Sequence, residues 1–151
     1  MDNSYKKIVP EDVFVSIFDR EATEAELWMG LPRDFKGNRP SGNDFIDLFA
    51  RLVRQYQSRD IAFYAKTMGV EKLHFGYAIR AMTGMSPVEW RDRYTMLSAK
   101  ELLRKTDQNI RNIAQQMGFN SAAAFSRFFS HHARMAPKDW RWKNKVTTQA
   151  P

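Results

Sequence analysis

The chain has 151 residues, 43% of them hydrophobic, and carries 24 basic against 17 acidic side chains. This size and apolar content suit one medium-sized folded domain or two small lobes, and the absence of cysteine excludes disulfides and thiolate metal sites. No apolar run is long enough to span a membrane and no signal segment begins the chain, so we expect a cytoplasmic protein with no membrane partner.

Charge is distributed unevenly along the chain. Residues 1–50 hold 10 acidic and 6 basic side chains, a net charge of −4, whereas residues 51–151 hold 7 acidic and 18 basic ones, a net charge of +11. A basic region of about 100 residues indicates a polyanionic partner, most simply nucleic acid. On charge alone, a solvated basic surface without such a partner is an equally good interpretation.

The first 40 residues form a short acidic segment. DVFVSIF fits a strand, through the alternation of Val13, Val15 and Ile17, or a helix, through spacing of four residues. We expect a helix. Good helix formers at residues 21–29 predict another one, and LPRDFKGNRPSGN is typical of a loop or linker.

From residue 43 onward, apolar residues recur at helical spacing. NDFIDLFARLVRQYQ predicts an amphipathic helix, and Ile61, Ala65 and Met68 predict a short one that ends at Gly69. Further helices are predicted, in chain order, at residues 75–82 before Gly84, from 87 to about 105, at 110–117 before Gly118, around 125–129, and from Pro137 onward.

The helix that begins at Pro87 has two apolar faces at about 100° per residue. The residues on one side are Val88, Met96, Ala99, Leu102 and Leu103, and those on the other are Trp90, Tyr94 and Leu97. A surface helix normally has one apolar face. This helix is therefore predicted to form a wall shared by two lobes.

An internal repeat relates the two halves of this region. TGMSPVEWR at residues 83–91 corresponds to ARMAPKDWR at 133–141, and Met68-Gly69 corresponds to Met117-Gly118 one residue out of register. Each unit has a short helix, a turn with glycine, a second helix and a helix begun by proline, which is a helix-turn-helix arrangement. Arg134 replaces Gly84 in the second unit, so that exit needs a different turn or a left-handed arginine at an energetic cost.

The second unit resembles a known family. IAQQMGFNSAAAFSRFFSHHARMAPKDWR is similar to the second helix-turn-helix of the AraC/XylS family of bacterial transcription regulators, in which Ile-Ala, Gly-Phe, Phe-Ser-Arg-x-Phe and Met-x-Pro-x-x-aromatic-Arg recur. AKTMGVEKLHFGYAIRAMTGMSPVEWRDRYTMLSAKELLRKTD resembles its first unit and connecting helix, and the likeness covers roughly residues 43–143.

The resemblance implies an all-α fold of two helix-turn-helix lobes joined by a long connecting helix. The double helix-turn-helix would occupy residues 41–145, after a segment of unknown role at residues 1–40. A connecting helix of about 19 residues spans roughly 28 Å, and successive major-groove segments lie about 34 Å apart. We therefore expect a nucleoid-associated transcription regulator that reads double-stranded DNA in adjacent major grooves with modest sequence selectivity.

Candidate DNA-binding residues follow from the second helix of each unit, which enters the major groove. In the first unit they are the outward-facing Lys72, His74, Gly76, Tyr77 and Arg80, with Leu73, Gly76 and Tyr77 at the base-reading positions that the resemblance implies.

In the second unit Asn120 or Ser121 caps the helix, and the reading positions fall on Ala122, Ala123, Ala124 and Arg127. Alanines offer only close approach and contact with thymine methyls. We expect Arg127 to make the best direct contact, with ion pairing to an acid as the structural alternative. Arg111 and other basic residues suit phosphate contacts, although Arg91 and Arg141 are equally suited to bracing their lobes.

No catalytic or cofactor site is expected, because no Ser-His-acid arrangement, phosphate loop or carboxylate pair stands out in the sequence. No metal site is expected either, because adjacent His131 and His132 point about 100° apart on a helix. A degenerate helix-turn-helix that modulates another regulator or RNA polymerase is the alternative function; the alanines favour it and the +11 charge disfavours it.

Residues 13–29 are a candidate for homodimerisation, for packing on the first lobe, or for contact with RNA polymerase. Residues 1–40 are too few for a sugar-binding barrel, so the chain is a stand-alone regulator, which Met1 favours, or a fragment.

Overall fold

The computed structural model describes residues 7–33, 35 and 39–145, and all regular secondary structure in this part of the chain is helical, as predicted. The helices in chain order are α1 (Pro10–Val13), α2 (Glu24–Met29), α3 (Asp44–Tyr56), α4 (Ile61–Thr67), α5 (Lys72–Thr83), α6 (Pro87–Lys105), α7 (Ile110–Gln116), α8 (Ala122–Ala133) and α9 (Pro137–Asn144). Helices α3 to α5 form the first lobe with the start of α6, and α7 to α9 form the second lobe with its end.

The two helix-turn-helix units have matching helix starts and turns. The side chain of Asp60 caps α4 by accepting from Phe63 N at 2.8 Å, and that of Asn109 caps α7 by accepting from Asn112 N at 2.8 Å. A short polar side chain at this position satisfies a helix donor that otherwise has no partner. The repeat seen in the sequence is therefore a repeat of local structure.

Both turns also reverse direction in the same way. Gly69 and Gly118 adopt φ angles of +72° and +80°, which are cheap only for glycine. The next residue in each unit donates its N–H back to the helix, Val70 to Ala65 O and Phe119 to Ala114 O, at 2.9 Å in both cases. The predicted glycine terminators are confirmed at both positions.

The exits of the two units differ in residue but share a conformation. Gly84 ends α5 with φ +74°, and Arg134 ends α8 in the left-handed region with φ +63° and ψ +23°. Of the two possibilities open for Arg134, the strained left-handed arginine is the one that the structure adopts.

Replacing Arg134 by Gly is expected to raise the free energy of unfolding by roughly 0.5 to 1 kcal/mol. The left-handed conformation costs a residue with a Cβ about 1–2 kcal/mol, and the greater freedom of glycine in the unfolded chain offsets part of the gain. Urea denaturation measures the change. The matched reverse variant, Gly84→Ala, should lose stability, and a loss in Arg134→Gly would contradict this interpretation.

Helix α6 contributes to two separate hydrophobic cores, as its two faces predicted. Trp90 and Tyr94 belong to the first core, which contains the buried residues of α3 to α5. The second core includes Met96, Ala99, Leu102 and Leu103 together with buried residues of α7 and α8. The prediction was wrong for Val88, which is 46% exposed, because the second core starts only at Met96.

The expected helix over DVFVSIF is wrong, since α1 ends at Val13 and Phe14 is extended. The residues on either side of α1 instead form hydrogen bonds with side chains of α6. Ile8 O accepts from Trp90 Nε1 at 2.9 Å, and Val15 N donates to the Tyr94 hydroxyl at 3.2 Å. Tertiary contacts thus override local helical spacing here.

The N-terminal segment is fixed to both lobes. Arg54 on α3 donates to Val15 O at 3.2 Å and to Ser16 O at 2.8 Å. Ile17 packs on the second core. The helix predicted at residues 21–29 exists but starts at Glu24 behind the cap Thr23. Packing on the first lobe is therefore observed for this segment. The part of the predicted loop at residues 34 and 36–38 lies outside the described residues. The domain boundary at residue 40 stays a prediction.

Candidate nucleic-acid interface

Helix α5 is anchored by one face and exposes the other. Phe75 and Ile79 are completely buried in the first core, whereas Leu73 is 57% and Tyr77 62% exposed. Lys72, His74 and Arg80, predicted to face outward, are exposed as well. The first set of predicted DNA-binding residues therefore shares one helix surface, and contact with DNA stays a prediction for each of them.

Gly76 lies half-buried within this surface and leaves a gap in its layer of side chains. A Cβ built at Gly76 would have no atom within 4 Å, so internal packing does not require glycine there. Glycine inside a helix costs about 1 kcal/mol relative to alanine. The surface above Gly76 is therefore open, and close approach of DNA there stays a prediction.

Helix α8 repeats this arrangement with different side chains. Phe125 and Phe129 are completely buried, and Ser121 rather than Asn120 caps the helix by accepting from Ala124 N at 3.0 Å. Asn120 and Ala123 are exposed, and Ala122 is half-buried. Free N–H groups near the start of such a helix can receive a phosphate.

Arg127 lies exposed on α8 at the position equivalent to Tyr77 on α5. Within the part of the chain that the structure describes, no carboxylate forms an ion pair with it. The structural alternative, in which this guanidinium pairs with an acid, is therefore not what the described residues show. A free guanidinium can bind guanine or phosphate with two parallel hydrogen bonds.

Several other cations of the two units are exposed and have no ion-pair partner among the described residues. They are Lys66, Lys72, Arg80 and Arg111. Arg111 lies in the first turn of α7, the helix that precedes the second reading helix. In a helix-turn-helix this first helix crosses the DNA backbone, and a phosphate contact by Arg111 stays a prediction.

Arg91 and Arg141, equivalent residues of the repeat, brace the protein instead. Arg91 Nη1 donates to Arg59 O at 3.0 Å, and Arg141 Nε donates to Leu103 O at 2.9 Å. Burial lowers the pKa of Arg141 from its usual value. A partly desolvated guanidinium bonded to a backbone carbonyl has few donors left for DNA.

Glu71 is a candidate that the sequence reasoning missed. It occupies the N-cap of α5 without a side-chain cap bond, is exposed, and its Oε2 lies 3.6 Å from His74 Nδ1. A carboxylate accepts from the cytosine amino group and repels phosphate. The signal was an acid placed immediately before a reading helix.

Other kinds of site are not found in the described ranges. No helix there is both long and apolar enough to cross a membrane, and no three His, Asp or Glu side chains are grouped for a metal ion. The rings of His131 and His132 lie at 85° to each other. Burial lowers the pKa of His132, whose Nε2 lies 3.6 Å from Asp92 Oδ2.

Comparisons with known proteins agree with this geometry. Residues 64–143 match a family described as "Helix-turn-helix domain", of the AraC type. The HTH-type transcriptional activator RhaS of Enterobacter sp. (strain 638) is 30% identical over 71 residues, which cover 47% of this chain and 26% of that protein. The chain spans 16% to 26% of the length of such curated relatives.

Solved structures share the fold. The C-terminal domain of AraT, a response regulator from Geobacillus stearothermophilus, aligns with a TM-score of 0.65 at 19% identity over 76% of this chain and 95% of that one. The DNA-binding domain of AdpA, a global transcriptional factor solved in complex with a target DNA, aligns with a TM-score of 0.57 at 22% identity over 66% of this chain and 88% of that one. At these identities the likeness shows the fold alone.

Proposed function

Because the chain belongs to the AraC-type helix-turn-helix family of DNA-binding transcription regulators, we propose that it regulates transcription by placing α5 and α8 in successive major grooves of double-stranded DNA. The observation that supports this is the pair of exposed reading helices held on one 19-residue helix, α6. At 1.5 Å per residue α6 spans roughly 28 Å, close to the groove repeat of about 34 Å.

The reading surfaces favour modest sequence selectivity. Alanines on α8 and Gly76 on α5 present no hydrogen-bonding side chain, which leaves Arg127 as the strongest direct reader. Lys66, Lys72, Arg80 and Arg111, which have no ion-pair partner among the described residues, supply affinity through phosphates, and such contacts position the protein without reading sequence. Sequence-dependent DNA shape then supplies part of the discrimination.

Salt dependence tests this division between phosphate contacts and base contacts. If each of the four cations Lys66, Lys72, Arg80 and Arg111 neutralises one phosphate, the slope of log K against log salt is about −3.6. Mobility shift on genomic fragments over a range of NaCl concentrations measures the slope, and competition with random DNA measures selectivity. A shallow slope together with strong selectivity would refute the proposal.

The family and fold are those of transcription regulators, not of enzymes, and we propose no catalytic function, cofactor or metal. The alternative, a degenerate protein-interaction module, is not favoured by the family match or by the unpaired cations. We propose that the protein acts in the bacterial cytoplasm on the nucleoid, which fractionation of cells with and without DNase treatment would test.

The N-terminal segment is proposed as the surface for a second copy of the chain or for RNA polymerase. Trp28 and Met29 on α2 are each 89% exposed, and large exposed apolar side chains are typical of protein-binding surfaces. A sedimentation coefficient that rises with concentration would support the homodimer, and a monomer at all concentrations would exclude it.

A further inference from the structure

The loop after α3 touches the turn of the second helix-turn-helix. Ser58 N donates to Met117 O at 3.3 Å across the two lobes. A Cβ built at Gly118 would lie 3.3 Å from Tyr56 O and 3.4 Å from Ser58 Oγ. Glycine therefore permits a close backbone approach here, and residues 56–58 with 117–118 are called the interlobe seam.

The first-lobe side of the seam is held tightly in place. Gln57 is 3% exposed and adopts φ +56° with ψ −113°, a conformation that favours glycine. Its Nε2 donates to Ser98 Oγ on α6 at 3.2 Å and to Arg54 O at 2.9 Å, and its backbone carbonyl accepts from the Tyr64 hydroxyl. Such strain persists only where surrounding contacts fix the residue, so the loop is a rigid part of the first lobe.

The internal repeat isolates what is special about Gly118. Gly69 occupies the equivalent turn of the first unit with a similar φ, +72° against +80°. A Cβ built at Gly69 would have no atom within 4 Å. Glycine is thus favoured at Gly69 by its backbone angle alone, whereas at Gly118 a side chain would in addition crowd the other lobe.

A second polar connection runs beside the seam. His132 on α8 lies 3.6 Å from Asp92 on α6. Asp92 accepts from Arg91 Nη2 at 2.7 Å, and Arg91 Nη1 donates to Arg59 O at 3.0 Å, next to the seam loop. The turn before α8 therefore contacts the loop of the first lobe directly, and the end of α8 lies beside a chain of contacts that leads to the same loop.

We propose that the interlobe seam fixes the distance and angle between α5 and α8, and so determines which spacing between two DNA half-sites the protein binds. Two linked binding modules gain affinity from each other only when their geometry lets both bind at once. The consequence for DNA rests on the proposed function, whereas the rigidity of the seam does not.

The structural half of the proposal is tested without DNA by comparing Gly118→Leu with Gly69→Leu. The chain contains no cysteine, so spin labels can be attached at Ala81→Cys on α5 and Lys138→Cys on α9, both exposed positions in different lobes. Electron–electron resonance should give one narrow distance distribution for the labelled parent and Gly69→Leu. Gly118→Leu should shift or broaden it, and an unchanged distribution overturns the proposal.

The effect of the seam on DNA binding is tested by measuring the affinity of each variant for two duplexes. One has about 24 base pairs and spans two successive major grooves, and the other has about 12 base pairs and spans one. Both are cut from the fragment that the parent binds most tightly. Gly118→Leu should lose roughly tenfold affinity on the longer duplex and less than about twofold on the shorter one. Gly69→Leu should lose equally on both.

If Gly118→Leu loses the same affinity on both duplexes, the seam does not determine the half-site spacing and this part of the proposal is overturned. If the parent binds neither duplex, the proposed function fails, and the distance measurement still decides whether the seam fixes the lobes. Should Gly118→Leu not fold, Gly118→Ala is measured in its place with the same expected direction, because its Cβ alone meets Tyr56 O at 3.3 Å.

Discussion

Replacing Trp90 by Ala is expected to lower the free energy of unfolding by about 4 kcal/mol. The indole is completely buried, and its Nε1 donates to Ile8 O at 2.9 Å. Its ring lies 5.1 Å from that of Phe49 and 5.8 Å from that of Tyr94. The variant leaves a cavity in the first core and also removes one of the hydrogen bonds that hold the N-terminal segment. A domain of this kind has about 5–15 kcal/mol in total, so urea denaturation should show a folded protein with a much lower unfolding midpoint.

Trp140, the equivalent residue of the repeat, is the matched control for Trp90. It is only half-buried, with its ring 5.8 Å from Phe129 and the Lys100 ammonium 5.9 Å from its centroid. Trp140→Ala should therefore cost roughly half as much, about 2 kcal/mol. Equal losses in the two variants would show that burial and the Ile8 bond do not account for the role of Trp90.

Arg127→Ala is expected to weaken DNA binding by about tenfold to a hundredfold at moderate salt, with little change in stability. Loss of a good bidentate base contact costs about 1–3 kcal/mol, and the exposed guanidinium has no carboxylate partner among the described residues to compensate. Fluorescence anisotropy with the tightest-bound fragment measures the change. Discrimination against a random duplex should fall as well, since Arg127 is the main candidate for direct readout.

Two control variants separate base reading from charge at Arg127. Lys72→Ala should weaken binding to all sequences alike and reduce the salt slope by about 1, as expected for a phosphate contact. Arg20→Ala should leave binding nearly unchanged, because Glu26 already neutralises that guanidinium at 2.7 Å in the N-terminal segment. A loss in Arg127→Ala no larger than that in Arg20→Ala would remove Arg127 from the interface.

Local chemistry explains why the two lobes could be predicted from the sequence. Gly69, Gly84 and Gly118 all adopt positive φ angles where helices end, and Pro87 and Pro137 both start helices. Such signals act within one turn of the chain, so tertiary structure seldom overrides them. The two-faced pattern of α6 likewise depends only on helical spacing.

Long-range contacts explain what the sequence did not predict. The extended N-terminal segment is held by bonds to Trp90 and Tyr94, about 80 positions away, and no local pattern announces such a partner. Gln57 adopts a conformation typical of glycine because its surroundings fix it, which its residue type conceals. Gly118 is indistinguishable from Gly69 in sequence, although only Gly118 contacts the other lobe.

In the candidate interface, too, local spacing could be predicted from the sequence and long-range contacts could not. Helical spacing identified the buried Phe75 and Phe125 and predicted most of the exposed residues of α5 and α8, whereas Gly76 and Ala122 are half-buried. It could not decide which arginines are free. Arg91 and Arg127 look alike in sequence, yet Arg91 bonds to a backbone carbonyl of the first lobe whereas Arg127 does not pair within the described residues.

That both lobes contact DNA at once is tested most directly by a hydroxyl-radical footprint on the tightest-bound fragment. We expect two protected segments on one face of the duplex, with centres about 10 base pairs apart. Arg127→Ala should weaken protection in the segment under α8, and Lys72→Ala in the segment under α5. A single protected segment, or two segments that both variants weaken equally, would contradict simultaneous binding by two separate reading helices.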